Sequence, residues 1–210
     1  MQYLPWHAPK GIPRQKSEKR KLFITADEHY HHKKILVYQE NRNIFPDIET
    51  HDATLQDRHN SVVRPCDCTI HVGDFCFGNP DQFRALVKKL NGTHFFMDGS
   101  HDRALRAFFS QPGVIETSVK AQLLPKIFEF TFEKTDITLL HYAMTKWYKS
   151  HYGSVHFFGH SHGNHRPDNR SLDIGVDCHN FYPLEIPHAI HLALRGRVEA
   201  NPRHAQKTQD

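Results

Sequence analysis

Residues 69–102 read TIHVGDFCFGNPDQFRALVKKLNGTHFFMDGSHD, and the change of periodicity along them decides the fold. Thr69-Ile70-His71-Val72 is a short strand candidate that breaks at Gly73-Asp74. Asn79-Pro80-Asp81 then opens a helix in which Phe83, Leu86, Val87 and Leu90 repeat at i, i+3, i+4 and i+7, and Asn91-Gly92 closes it. Thr93-His94-Phe95-Phe96-Met97 is a further strand and runs into Asp98-Gly99-Ser100-His101-Asp102.

The same alternation extends in both directions. On the N-terminal side, Leu22-Phe23-Ile24-Thr25 is an apolar run ending at Asp27-Glu28-His29, and a helix-like stretch covers 33–39. Residues 50–63 carry apolar positions at helical spacing, and Pro65 stops them. The second half is richer in strands: 127–132, 137–140 into His141, 155–158 into Gly159-His160, then 171–176 and 189–194. Strands alternating with helices predict an α/β fold. Five of the strands end in a loop bearing Asp, Ser or His: Asp27 and His29, Asp74, Ser100 and His101, His141, and His160 with His162. Open α/β sheets hold ligands beyond the carboxyl ends of their strands, so five such loops point to one shared site.

The chain of 210 residues is long enough for one domain with a sizeable core, and 38% hydrophobic against 24% charged residues excludes a disordered chain. Three segments are expected: a basic flexible leader over 1–21, one domain over 22–197, and a frayed tail over 198–210. The leader, rich in Lys, Arg, Pro and Gly, has no apolar run and reads neither as a secretory signal nor as a membrane span. Cys66, Cys68, Cys76 and Cys178 lack zinc-ribbon spacing, and reduced thiols in the cytoplasm are expected. Histidine is over-used, at 19 residues without a terminal run, and many of these sit beside Asp, Gly or another His after an apolar run. That is a metal-site pattern.

Ser100-His101-Asp102 spells the residue types of a hydrolytic triad. Consecutive residues in an extended loop diverge, however, and Ser100 lacks the flanking glycines of a nucleophile elbow. Carboxylates with neutral imidazoles instead suit first-row divalent ions. An Asp can bridge two such ions about 3.5–4 Å apart, and the pair activates a water while clamping a phosphoryl group. Asp74, after a buried strand and a glycine, suits the bridge.

The ordered set DEH (27–29), GD (73–74), GSHD (99–102), His141 and GHSH (159–162) resembles the calcineurin-like metallophosphoesterase superfamily, in its small stand-alone bacterial and phage-type form. The resemblance runs from about Leu22 to Leu194, including Gly175-Val176-Asp177 with Asn180 and Pro183. It implies a two-sheet βαβ sandwich flanked by helices. It implies two divalent metal ions, Mn foremost, with Fe, Zn, Ni or Co as alternatives. Asp27, His29 and His162 would hold the first, Asp74 would bridge, and His141, His160 and Ser100 would hold the second. His101 would act on the leaving oxygen, with Asp102 orienting it. The family has Asn where this chain has Ser100, and the shorter hydroxyl is expected to weaken the second site.

The implied activity is hydrolysis of a phosphomonoester or phosphodiester by a metal-bound hydroxide, on a nucleotide-like or other small phosphorylated substrate, attenuated by Ser100. The alternatives are a nuclease acting on nucleic acid and a catalytically impaired scaffold. Candidate substrate contacts are His31, His32, Arg42, Asn164 and His165, each weighed against a solvated or surface role, as are Arg166 and Arg170. Glu28 is expected to turn away from the metals. His51, His59, His188 and His191 read as surface or packing residues, Trp147 and Tyr148 as packing aromatics, and Cys76 as a buried thiol or a soft ligand.

Overall fold

A computed structural model of the protein describes residues 20–111, 120–165 and 170–195. In chain order its elements are β1 (Leu22–Thr25), α1 (Ile35–Tyr38), α2 (Ile48–Val62), β2 (Cys68–Val72), α3 (Pro80–Lys89), β3 (Thr93–Met97), α4 (Arg103–Phe109), β4 (Ala121–Leu123), β5 (Ile127–Phe132), β6 (Thr135–Leu140), β7 (Val155–Phe158), β8 (Ser171–Asp173), β9 (Leu184–Glu185) and α5 (Ile186–Leu194). Residues 1–19 of the expected leader over 1–21, the tail from 198 and Arg166 lie outside the described residues.

The strands form two mixed sheets. One has the order β4-β3-β2-β1-β9 with only β9 antiparallel, and the other has the order β5-β6-β7-β8 with only β5 antiparallel. Alternation along each strand divides its side chains between two cores. Leu22 and Ile24, Cys68, Ile70 and Val72, and Phe95 and Met97 meet Ile137, Leu139, Val155, Phe157 and Leu172 of the other sheet. The opposite face of the first sheet, with Phe96 foremost, packs on Leu55 of α2, on Phe83, Leu86 and Val87 of α3, and on Leu105 and Phe108 of α4. The architecture is therefore α/β, two mixed sheets with helices against them.

The helix starts follow local chemistry. Asn79 accepts from Gln82 N at 2.9 Å while the Gln82 amide oxygen accepts from Asn79 N, a capping box with Pro80 in the first turn. Asp47 caps α2 by accepting from Thr50 N at 2.7 Å. Two expectations need correction. Residues 189–194 are not a strand but the end of α5, whose buried Ile186, Ala189 and Ala193 recur at i, i+3 and i+7. The run 171–176 is a strand only to Asp173, and a 3₁₀ turn begins at Val176.

The parallel strands place their carboxyl ends along one rim. Asp27 N donates to Gly73 O at 3.1 Å, His29 N to Asp74 O at 3.0 Å, and Gly159 N to His141 O at 3.0 Å. Across the two sheets, His160 N donates to the Asp27 carboxylate at 2.8 Å. Backbone hydrogen bonds thus stitch the loops after β1, β2, β6 and β7 into one surface.

Candidate metal centre

Two groups of potential ligands meet on that surface: Asp27, His29 and His162, and Asp74, His141 and His160. Within each group the ligand atoms lie within 4.8 Å of one another. Asp74 Oδ2 joins the groups, at 3.8 Å from His29 Nε2 and 3.3 Å from His141 Nε2. This is the placement of a carboxylate shared by two ions. The Ser100 hydroxyl donates to the same Oδ2 at 2.9 Å, so Ser100 also reaches the junction.

The ligand atoms are held open. Asp27 Oδ1, His29 Nε2 and His141 Nε2 are buried and have no hydrogen-bond partner in the protein. Such orphans are costly unless something else satisfies them. Each imidazole is fixed by its other nitrogen. His141 Nδ1 meets Val72 O at 2.8 Å, His162 Nδ1 meets Asp177 Oδ2 at 2.7 Å, and His29 Nδ1 meets His32 Nδ1 at 3.2 Å. For His141 and His162, whose partners are acceptor oxygens, this second hydrogen bond sets the tautomer that leaves Nε2 free for a cation.

The backbone pays for the arrangement. Asp27, His29, Asp74, His160 and His162 all have φ between 48° and 67°. Left-handed conformation costs a non-glycine residue about 1–2 kcal/mol, and five of the six grouped residues adopt it. Two glycines give the close approach. A Cβ on Gly73 (φ +89°) would meet His141 Nδ1 at 2.5 Å, and one on Gly99 would clash with the Asp74 amide nitrogen and Oδ1.

Burial and neighbouring charges shift these groups in different directions. Burial raises the Asp27 carboxyl well above its ordinary range, and the carboxylates of Asp173, Asp74 and Asp177 add to this. For Asp74 burial acts in the same sense, but His141 Nε2 at 3.3 Å and the hydrogen bond from the His101 amide outweigh it and hold it low. His29 is pushed well below its usual value by burial, then by Arg42 and His162, so it stays neutral. Burial likewise lowers His160.

Arg42 is a correction. It is fully buried, not a substrate contact. Its guanidinium holds Asp177 with Nε at 2.7 Å and Nη2 at 2.5 Å, and it donates to Asp27 O at 2.6 Å and Glu28 O at 3.1 Å. Asp177 in turn orients His162. Burial opposes the Asp177 charge, but Arg42 keeps its pKa far below normal. Asp102 is the second correction. Its carboxylate does not orient the His101 ring but accepts from the amides of Asp74, Phe75 and Gly99 at 2.7–2.8 Å. It locks the third ligand loop to the second.

His101 is exposed, and its main-chain N–H donates to Asp74 Oδ1 at 2.8 Å. Its ring lies 5.0 Å from Phe77 and 6.2 Å from His29. His32 stacks on Phe77 at 3.7 Å, and burial lowers it to about 4. It is half-buried, with its Nδ1 3.2 Å from His29 Nδ1. His31 is turned to Asp52, with Nδ1 3.3 Å from the carboxylate. Asn164 and His165 are exposed just beyond His162, the latter packed on Phe158. Glu28 points away from the ligands, to His71 Nδ1 at 2.5 Å. Cys76 stays a protonated thiol, pushed up to about 12 by burial, and is in neither ligand group.

Sequence reasoning missed the roles of Phe77, Tyr142, Asp173 and Asp177. Tyr142 is exposed with its ring 4.7 Å from His160. Asp173 shapes the GHSH loop by accepting from Ser161 Oγ and Gly163 N. Asp177 had a signal, because it belongs to the GVD stretch matched in the resemblance.

No protein-family profile matches the chain. It is 26% identical over 188 residues to the uncharacterized protein MJ1445 of Methanocaldococcus jannaschii, covering 85% of this chain and 94% of that one. It is 24% identical over 185 residues to the Gene 66 protein of Mycobacterium phage L5, covering 74% and 86%. Among solved structures, a protein of unknown function from Aquifex aeolicus, AQ665, superposes with a TM-score of 0.62 at 16% identity, covering 83% of this chain and all of that one. That last likeness concerns the fold. Among the described residues no helix is long and apolar enough to cross a membrane.

Proposed function

We propose that the chain is a metal-dependent phosphoesterase of the calcineurin-like metallophosphoesterase type, with that superfamily's two-sheet sandwich fold. The observation that carries the reading is Asp74 Oδ2, set between His29 Nε2 and His141 Nε2 where two ligand groups meet. Asp27, His29 and His162 would hold one divalent ion, Asp74 would bridge, and His141, His160 and Ser100 would hold the other. Their mix of carboxylate and imidazole suits Mn, Fe, Zn, Ni or Co. Such a pair supplies Lewis acidity toward a phosphoryl oxygen and lowers the pKa of water.

The chain's own residues do the rest. His141 and the His101 amide hold Asp74 ionised at the floor, and Arg42 does the same for Asp177 behind it. His101 stands at the open side, where its ring can hand a proton to the departing alkoxide as water forms the new P–O bond and the P–O ester bond breaks. No side chain needs to carry a phosphoryl group. The intact ligand atoms argue against a scaffold without chemistry, and the open rim favours small or terminal phosphoesters.

Hydrolysis of bis(p-nitrophenyl) phosphate and p-nitrophenyl phosphate with each divalent ion in turn tests the reading, alongside metal content per chain. Turnover with Mn²⁺ that Asp74→Asn abolishes is the expected result. Absence of turnover with every ion, or a fully active Asp74→Asn, would sink it.

A further inference from the structure

We propose that a cationic cleft at the opposite end of the second sheet binds the phosphate backbone of a single-stranded nucleic acid. The cleft has a volume of ≈ 800 Å³ and is lined by Thr145, Lys146, Ser150, His151, Arg170 and Arg195, with Trp147 among its walls. Arg170 directly precedes β8 and His151 lies shortly before β7. The cleft therefore sits where these strands enter the sheet, whereas His160 and His162 follow the exit of β7.

Three permanent cations converge there, and among the described residues no carboxylate lines the cleft. Four cations elsewhere on the surface are paired: Lys21 with Glu185, Arg64 with Asp67, Arg106 with Asp98 and Lys149 with Asp136. Among the described residues Lys146, Arg170 and Arg195 form no ion pair. Leaving like charges together without counterions is unfavourable in the free protein and favourable only toward an anion. The carboxyl end of α5 opposes an anion with roughly half a negative charge. Arg195 stands at that end and more than offsets it.

The hydroxyls of Thr145 and Ser150 add neutral donors for phosphate oxygens. Tyr152 identifies the ligand as more than phosphate. It is 80% exposed, with its ring 4.2 Å from His151 at the edge of the cleft. An exposed aromatic face beside a cationic groove is the arrangement on which unpaired bases stack. Bases in a duplex have no free face to offer.

Fluorescence anisotropy with a labelled oligothymidylate of about 16 nucleotides, on the full chain in EDTA, tests the assignment without involving the metal centre. Loss of the phosphoesterase reading would leave this result untouched. Three phosphate contacts predict log K falling against log salt with a slope of about −2. Lys146→Ala, Arg170→Ala and Arg195→Ala, all at exposed positions, should each weaken binding and flatten the slope by about 0.7. Tyr152→Ala should weaken binding with the slope unchanged. Circular dichroism verifies that the variants fold. The proposal fails if no binding occurs at low salt. It fails equally if the triple Lys146, Arg170, Arg195 variant binds as before, which would assign binding to basic segments such as 9–21. Displacement by tripolyphosphate as effective as by unlabelled oligonucleotide would overturn the nucleic-acid assignment in favour of a small polyanion.

Discussion

At the scale of single residues, the proposed phosphoesterase activity separates groups that would face the reaction from groups that would aim them. On that proposal His101 donates the proton, so His101→Gln should lower turnover about 10²–10⁴-fold on alkyl phosphoesters. It should do far less to p-nitrophenyl esters, whose leaving group departs without protonation; comparison of the two rates checks this. Ser100 donates to Asp74 Oδ2 from a side chain one bond shorter than asparagine. Ser100→Asn should therefore increase retention of the second metal after mild chelation, and unchanged metal content and unchanged turnover would refute the idea. Asp177 links Arg42 to His162. Asp177→Asn should cost about 10–100-fold in affinity for the first metal and about 3–5 kcal/mol of stability, because Arg42 is left buried without its counterion. Calorimetric titration with Mn²⁺ and urea unfolding read the two effects separately. The convergence of the candidate ligands was legible in the sequence because each follows an apolar strand by one to four positions. Arg42 and Asp102 were not, because what they bind depends on contacts 135 and 26–28 residues away.

At the scale of elements, the first half of the chain was readable because local signals agreed there. α3 shows it best, with a capping box, a first-turn proline, and Phe83, Leu86 and Val87 buried on one face. α5 was misread because Ala189 to Leu194 alternates well enough to imitate a strand, while its helical period becomes visible only when Ile186 is included. The two-sheet pairing was also beyond local reading, since β9 joins β1 from 160 residues downstream. The loops between elements obey a different constraint, close approach under strain. Five left-handed Asp and His residues are tolerated only because tertiary contacts fix them. Gly99→Ala should break one such contact by forcing a methyl group against the Asp74 amide and carboxylate. Overpacking of this kind costs about 1–3 kcal/mol. Because the clash falls on Asp74, binding of either metal should suffer more than the melting temperature indicates. Calorimetric Mn²⁺ titration beside thermal unfolding of the same variant decides this, and intact metal binding in a destabilised variant would contradict it.

At the scale of the whole molecule, the histidines outside the centre make the fold sensitive to acid. His71 meets Glu28 at 2.5 Å and His94 at 3.0 Å, His59 meets Asn91 O at 3.0 Å, and His156 meets Thr138 O at 3.0 Å, all of them buried. Burial lowers His59 to about 4 and His71 to about 3, and it also lowers His94 and His156. Unfolded, each would titrate near about 6.5. Their contribution to stability is therefore complete above that pH and is lost as the pH falls through the folded values, since the unfolded chain takes up protons the folded chain refuses. Glu28, pushed up to about 8 by burial, acts in the opposite sense, because the folded state holds a proton that the unfolded state has released above pH 4.5. Within the centre the groups divide, with the lowered His29, His32 and His160 opposing the raised Asp27, Asp102 and His141. Two protons taken up by the unfolded chain at His59 and His71 against one retained by Glu28 give a slope of about 1.4 kcal/mol per pH unit between roughly pH 6 and 4.5, and the lowered His94 and His156 steepen it. A typical domain has only about 5–15 kcal/mol to lose, so the metal-free protein should be markedly less stable at pH 4.5 than at pH 7. Urea midpoints at successive pH values in EDTA measure the slope, and a midpoint unchanged from pH 7 to 4.5 would show that these imidazoles are not held neutral by the fold.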